Sequence, residues 1–316
     1  MVRSMQNNKI RIVALAGGVG GARMLDGFAA LGFSDRLQAI INTADDFELW
    51  GLHISPDIDT VIYTLAGLAN VEQGWGIAGD TRVALDAIAR LGEDPWFLLG
   101  DQDIATHILR TQRLREGQSL GQVTADFAAA LGIETGLLPM SNDPVRTHIQ
   151  VEDGWLDFQS YFVGRRHADD VLGVRFDGIE SAQPAEGVLD AIRQAGLILI
   201  CPSNPVVSVD PILGVAGIRD AIASADARVV CVSPIIGGRA LKGPAANMLH
   251  QAGVEVSAAG VSAWYGDLVD VMVIDTQDAG LEPAIRQQGH DVTVLETIMG
   301  DRADRARLAE EILAAL

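Results

Sequence analysis

Short apolar runs and helix-period stretches alternate along the chain. "RIVALAGG", residues 11–18, reads as a buried strand ending in glycines, and "GARMLDGFAAL" repeats apolar positions at helical spacing after it. "LQAIINTADD" is a second strand with a polar end, while "DTVIYTLAGLA", "DTRVALDAIARLG" and "ADFAAALG" read as helices. The later strands are "GLILICPSNP", "ARVVCVSPIIGG", "LVDVMVIDTQD" and "HDVTVLET", each short, apolar and β-branched before it meets polar or Pro/Gly residues. Helical stretches ("GVLDAIRQA", "IRDAIASA") lie between them, and "ADRARLAEEILAAL" closes the chain. Strands buried on both faces give such unbroken apolar runs. The pattern predicts an α/β fold, a Rossmann-like parallel sheet with helices on both faces. One stretch differs. "THIQVEDGWLDFQSYFVGRR", residues 147–166, alternates around Asp153-Gly154, a hairpin turn signal. Residues 101–187 therefore read as a small helix/hairpin insertion in a single α/β domain over 1–316.

In an open parallel sheet, ligands bind outside the carboxyl ends of the strands. The residues that follow each strand are the candidates. They are Gly17, Gly18, Gly20 and Gly21; Asn42, Thr43, Asp45 and Asp46; Ser203 and Asn204; and Ser233, Gly237, Gly238, Arg239 and Lys242. Glycines let backbone N–H groups approach phosphate oxygens, and the helix behind adds a positive N-terminal end. The same glycines also suit a close strand–helix corner. The spacing matches neither the Walker pattern nor the complete dinucleotide fingerprint.

The acids say more. "NTADDFELWGLHISPDIDTVIYTL" places Asp45, Asp46, Asp57 and Asp59 in a short loop and a helix start. Asp59-Thr60 resembles a helix N-cap, which explains one of them structurally. Four carboxylates repel one another unless a cation offsets their charge, and Mg²⁺ held by one or two carboxylates plus substrate phosphates suits the set. A third group follows in "LGDQDIATHILRTQRLREG". There Asp101 and Asp103 precede Thr106, His107 and Arg110, the last two sharing a helix face at i, i+3. A lone histidine is more often structural; Arg110 beside it gives the face an anion-binding option.

Composition narrows the partners. The 316-residue chain has 42 acidic against 23 basic residues, a formal net charge of −19. That argues against nucleic acid and against anionic membrane surfaces. A phosphorylated ligand would need local charge reversal by N–H groups, a few cations or a metal. No apolar run reaches the roughly 18 residues of a membrane span, the N-terminus lacks a secretory pattern, and Cys201 and Cys231 imply no disulfide framework. A cytoplasmic protein is expected.

Seven segments, "ALAGGVGGARMLDG", "NTADDFELWGLHISPDIDTVIYTLAG", "GWGIAGDT", "LGDQDIATHILRTQ", "LLPMSNDPVRTHI", "CPSNPVVSVDPIL" and "VSPIIGGRALKGPA", occur in order. Together they resemble the 2-phospho-L-lactate transferase family of coenzyme F420 biosynthesis. The resemblance implies transfer of a phospho-three-carbon acid from a GMP-diphosphate-linked donor to the ribityl hydroxyl of the deazaflavin Fo. GMP leaves and F420-0 or its dehydro form results, with Mg²⁺ as cofactor. Phospholactate, phosphoenolpyruvate and phosphoglycerate are the candidate acids, and an upstream guanylyltransferase and a homodimer are implied. Carried onto this sequence, Asp45 and Asp57 hold the metal and, with Asp59, form the catalytic set. Gly17, Gly18, Gly20, Gly21, Ser203, Asn204, Ser233, Gly237 and Lys242 hold the donor. Asp46, Asp59, Asp103, Thr106, His107 and Arg110 line the Fo or acid side. One departure is Gln102, where the family's G-D-x-D segment carries a basic residue. The rival is a nucleotide-sugar-binding regulatory protein of related fold, and fold alone does not separate the two.

Overall fold

The computed structural model describes residues 10–241 and 243–316. In chain order its strands are β1 (Ile12–Ala16), β2 (Leu37–Ile41), β3 (Phe47–Leu49), β4 (Leu52–Ile54), β5 (Gly136–Pro139), β6 (Arg146–Val151), β7 (Gly154–Asp157), β8 (Gly173–Asp177), β9 (Leu197–Ile200), β10 (Arg228–Val232), β11 (Ile235–Ile236), β12 (Arg239–Ala240), β13 (Val271–Asp275) and β14 (Asp291–Leu295). The α-helices are α1 (Gly18–Ala30), α2 (Pro56–Leu65), α3 (Val83–Arg90), α4 (Asp101–Arg115), α5 (Leu120–Ala130), α6 (Val188–Gln194), α7 (Asp210–Gly214), α8 (Ile218–Ala223), α9 (Ala245–Gln251), α10 (Ala258–Tyr265), α11 (Glu282–Gln287) and α12 (Arg302–Ala315).

The fold is α/β. Seven strands form one sheet in the order β14-β13-β10-β9-β1-β2-β5, and every pairing in it is parallel. Strand residues alternate between two cores, as the pleat requires. Val13, Leu15, Ile40, Ile198, Ile200 and Cys231 face one core with α6, α8 and α10. Ile12, Ala14, Ala39, Ile41, Leu199 and Val230 face the other with α1, α2 and α12. Sequence order reverses between β1 and β9. The chain leaves these neighbours in opposite directions, opening a crevice at their carboxyl ends.

The 101–187 stretch is divided between two sheets. Its β5 is the edge strand of the main sheet, paired with β2 from Gln38↔Gly136 to Ile41↔Pro139. "GLLP" is short and lacks β-branched residues, so it gave no strand signal. The hairpin around Asp153-Gly154 is present as β6–β7, and β8 pairs with the other edge of β6 to make a separate three-stranded sheet. A second hairpin, β3–β4, occupies what the sequence suggested was acidic loop; it turns at Trp50 and Gly51, both with positive φ. Among the described residues no helix is long and apolar enough to cross a membrane.

Candidate active site

The site grows from the turn between β1 and α1. Gly17 is extended and offers no side-chain cap, so the helix N-terminus opens on bare backbone. Its N–H donates to Ser203 Oγ at 3.1 Å, and Ser203 Oγ donates back to Gly17 O at 2.7 Å. Gly18 has φ +64° and donates its N–H to Asp57 Oδ1 at 2.7 Å. A Cβ on Gly17 would lie 2.6 Å from Ser208 Cβ and 2.8 Å from Asp57 Oδ2, and one on Gly20 would lie 2.2 Å from Pro202 O. A Cβ on Gly21 would be less crowded, 3.0 Å from Ala16 Cβ and 3.1 Å from Ser203 Oγ. The glycines thus let β1, β9 and α2 converge, which is the close-corner reading, and they do so at the switch point.

The carboxylates come from β2 and α2. The N-cap of α2 is Ser55 with Pro56 behind it, not Asp59-Thr60. Its hydroxyl does not cap; it donates to Asp46 Oδ2 at 2.9 Å, and His53 Nε2 meets the same oxygen at 3.1 Å. Asp57 lies in the first turn, where the helix dipole favours an anion. Its Oδ2 accepts from Asn42 Nδ2 at 3.0 Å. Burial nevertheless pushes Asp57 up to about 6, against the hydrogen bonds from Asn42 and Gly18. Asp45 is raised well above the carboxylate range, first by burial and then by the charge of Asp57. The Oδ1 atoms of Asp45 and Asp46 are both buried and have no hydrogen-bond partner.

Such bare buried oxygens, crowded by like charge, fit a cation. Among the described residues no three His, Cys, Asp or Glu side chains form a ready-made cage. The chain's share is a pair of carboxylates, the usual protein contribution to a Mg²⁺ site completed by phosphates and water.

Asp59 is placed elsewhere. Both its oxygens accept from the guanidinium of Arg110 on α4, with Arg110 Nη1 3.0 Å from Asp59 Oδ2. Arg110 Nη1 also lies 3.3 Å from His107 Nδ1. The guanidinium can only donate, so Nδ1 accepts and the ring proton sits on Nε2. Burial lowers His107 to about 4, so the ring is neutral at pH 7. Asp103 takes the N–H of Gly100 at 3.2 Å, and burial lifts it to about 6. Thr106 is half-buried, with its hydroxyl on Gln102 O at 3.3 Å. The shared face of His107 and Arg110 is therefore real, but it is a buried network rather than an open anion site.

The donor-side residues divide. Asn204 Oδ1 accepts from Val206 N at 3.0 Å, capping the turn that starts at Pro205. Ser233 closes its own turn on Ile235. The Gly237 N–H is held by both oxygens of Asp278, at 3.0 and 3.1 Å. Ser233 and Gly237 sit on the same rim as the carboxylates, three strands from β2 across β9 and β1. Lys242 lies outside the described residues. His53, Ser55, Thr147 and Gln159 border the carboxylates without having been singled out from sequence. The β6 alternation "RTHIQV", with Thr147 on its buried face, was the signal available for Thr147.

Fold and site define a doubly wound α/β protein with an acid-lined crevice at its switch point. Residues 12–311 match the family model described as 2-phospho-L-lactate transferase CofD. The chain is 45% identical over 312 residues to a phosphoenolpyruvate transferase of Kitasatospora aureofaciens, covering 96% of this chain and 97% of that one. It is 36% identical over 304 residues to a 2-phospho-L-lactate transferase of Methanosarcina mazei, covering 96% and 100%. A crystal structure of a UPF0052 family protein from Bacillus halodurans shares the fold, with a TM-score of 0.62 at 17% identity over 96% of this chain and 99% of that one. The chain belongs to the 2-phospho-L-lactate transferase family.

Proposed function

We propose that the protein carries out the acid-transfer step of coenzyme F420 biosynthesis, moving phosphoenolpyruvate from a GMP-linked donor onto the terminal ribityl hydroxyl of Fo. What supports the enolpyruvyl form of the acid is the nearer likeness to a phosphoenolpyruvate transferase, 45% identical in Kitasatospora aureofaciens, than to a 2-phospho-L-lactate transferase, 36% identical in Methanosarcina mazei. The hydroxyl oxygen bonds to the phosphorus that carries the acid, the diphosphate bridge breaks, and GMP departs. The product is the dehydro form of F420-0. An upstream guanylyltransferase supplies the donor.

One observation carries the assignment. Asp45 Oδ1 and Asp46 Oδ1 are buried and unpaired beside Asp57, at the turn where α1 presents its N-terminus. Phosphoryl transfer needs charge neutralisation and alignment more than covalent help. Asp45 and Asp57 would hold Mg²⁺, which when bound neutralises the phosphate oxygens. The first turn of α1 would face the diphosphate with its N–H groups. Asp46, whose Oδ2 is fixed by Ser55 and His53, would take the hydroxyl proton. Asp59 acts through Arg110, fixing α4 on α2 and with it the wall intended for Fo. The turn from Ser233 to Gly237, anchored by Asp278, would receive the guanosine.

The test is turnover. Purified protein, Fo, Mg²⁺, GTP and a donor-forming guanylyltransferase are mixed with each of the three acids in turn, and the products are weighed by mass spectrometry. An Fo–enolpyruvyl phosphodiester is expected. An adduct with phospholactate alone would replace the acid. No adduct with any acid, together with tight nucleotide-sugar binding, would move the protein to the regulatory class.

A further inference from the structure

The segment "PVRTHI", residues 144–149, has no part in the chemistry above. Thr147 lies in β6 of the three-stranded sheet, outside the main sheet, on the face that β6 buries. Its N–H donates to Ala44 O at 2.7 Å, one residue before Asp45. Gln159, just beyond β7, reaches Asp45 O with its Nε2 at 3.5 Å. The small sheet therefore grips the acidic loop from both sides of Asp45.

The side chain of Thr147 continues the contact. Its hydroxyl sits on the buried face of β6, the strand whose Thr147 N–H holds the loop one residue before Asp45. Yet Thr147 Oγ1 and Asp45 Oδ1 are each buried without a completed hydrogen bond, as is Thr43 Oγ1 on the same loop. A buried hydroxyl with no partner is unfavourable for folding, and valine would fill the same volume without that penalty. Groups left in this condition at the mouth of a ligand site are completed when the ligand arrives. A metal-binding carboxylate, for its part, needs an outer partner to fix its orientation.

Resting on the function proposed above, we infer that Thr147 is a positioning residue. Once the divalent cation is bound, the Thr147 hydroxyl completes a hydrogen bond to the Asp45 carboxylate that the metal-free protein leaves unmade, and holds Oδ1 toward the ion. The accessory sheet is then part of the reaction centre, not a decoration on the fold. The hydroxyl matters and the side-chain volume does not.

Thr147→Val and Thr147→Ser separate these. Mn²⁺ replaces Mg²⁺, and its binding to the full chain without substrates is followed by electron paramagnetic resonance of the free ion. Steady-state transfer to Fo is measured alongside. Thr147→Val is expected to weaken Mn²⁺ binding and lower kcat by about 10- to 100-fold each, with KM for Fo unchanged. Thr147→Ser is expected to stay within about threefold of wild type. If the valine variant does not fold, Thr147→Ala carries the same expectation. Wild-type Mn²⁺ binding and kcat in the folded hydroxyl-free variant would overturn the inference. So would a serine variant as impaired as the valine one, or a wild-type chain that holds no Mn²⁺. A wild-type chain that binds Mn²⁺ but does not modify Fo would defeat the proposed function, while the Mn²⁺ comparison would still decide the role of Thr147.

Discussion

Arg110 sets its two terminal guanidinium nitrogens on the two carboxylate oxygens of Asp59, and the protein closes over both side chains. One residue is on α4 and the other on α2, so the pair joins two helices that flank the crevice. A buried ion pair is weak evidence of net stability, because desolvating both charges offsets most of their attraction. Breaking it is another matter, since one charge is left buried alone.

Arg110→Met should therefore destabilise the protein by about 3–5 kcal/mol, and Asp59→Leu by a similar amount. The double variant should be more stable than either single one, because no orphan charge remains. Denaturant midpoints of the four proteins test this. Additive losses in the double variant would mean that the two side chains act independently.

Asp45 is expected to trade stability for activity. It is buried, unpaired at Oδ1 and repelled by Asp57 and Asp46. Asp45→Asn removes the repulsion and keeps the shape. In metal-free buffer the variant should be more stable than wild type by about 1 kcal/mol, while transfer falls at least about a hundredfold. A variant both less stable and fully active would reverse the assignment of Asp45.

The same groups fix the sign of the pH dependence. Asp57, Asp103 and Asp210 are each raised to about 6, chiefly by burial, and Asp45 is raised too. A raised acid stabilises the fold below its unfolded value near 3.8, and that contribution is lost as pH rises through its folded value. His107, lowered to about 4, works the other way: its contribution is present above about 6.5 and lost as pH falls through about 4. Burial lowers His167 in the same sense, and four acids outweigh the two histidines across this window. With a chelator present, the melting temperature should be higher at pH 5 than at pH 7. Mg²⁺-dependent transfer should fall over the same interval, as Asp45 and Asp57 take up protons. A melting temperature that drops on acidification to pH 5 would mean that these carboxyls are charged in the folded protein.

The sheet was legible because strands buried on both faces must be apolar throughout, and "LILI" or "VMVID" can be little else. "GLLP" escaped because an edge strand of four residues needs neither β-branching nor alternation. The rim was legible for the same reason as the sheet: once strand ends are known, the glycines and acids after them fall in place. The partners of those acids were not. Thr147, whose N–H holds Ala44 O, lies 102 positions from the neighbouring Asp45 in sequence, and Arg110 lies 51 from Asp59. Such pairings are made by packing, and no local pattern encodes them. Asp59 shows the consequence, since in sequence it is indistinguishable from Asp57 two residues earlier. In the fold Asp57 turns to Gly18 and Asn42, whereas Asp59 turns to Arg110.

Gly20 makes the switch point possible, and its replacement should expose that. A Cβ there would stand 2.2 Å from Pro202 O, a backbone atom that cannot rotate away. Gly20→Ala should force α1 from the β9 turn and destabilise the protein by about 1–3 kcal/mol, the range seen for overpacking. The displacement also moves Gly17 and Gly18 from Ser203 and Asp57, so transfer should fall further than the stability loss alone explains. Gly280→Ala is the control: nothing lies within 4 Å of a Cβ at that position and its φ is not positive, so stability and transfer should be close to wild type. Denaturation and transfer rates measured on both variants, at a temperature where each is fully folded, separate the two effects. Full activity in folded Gly20→Ala would show that the β1–α1 turn and the β9 turn need not meet for the reaction to proceed.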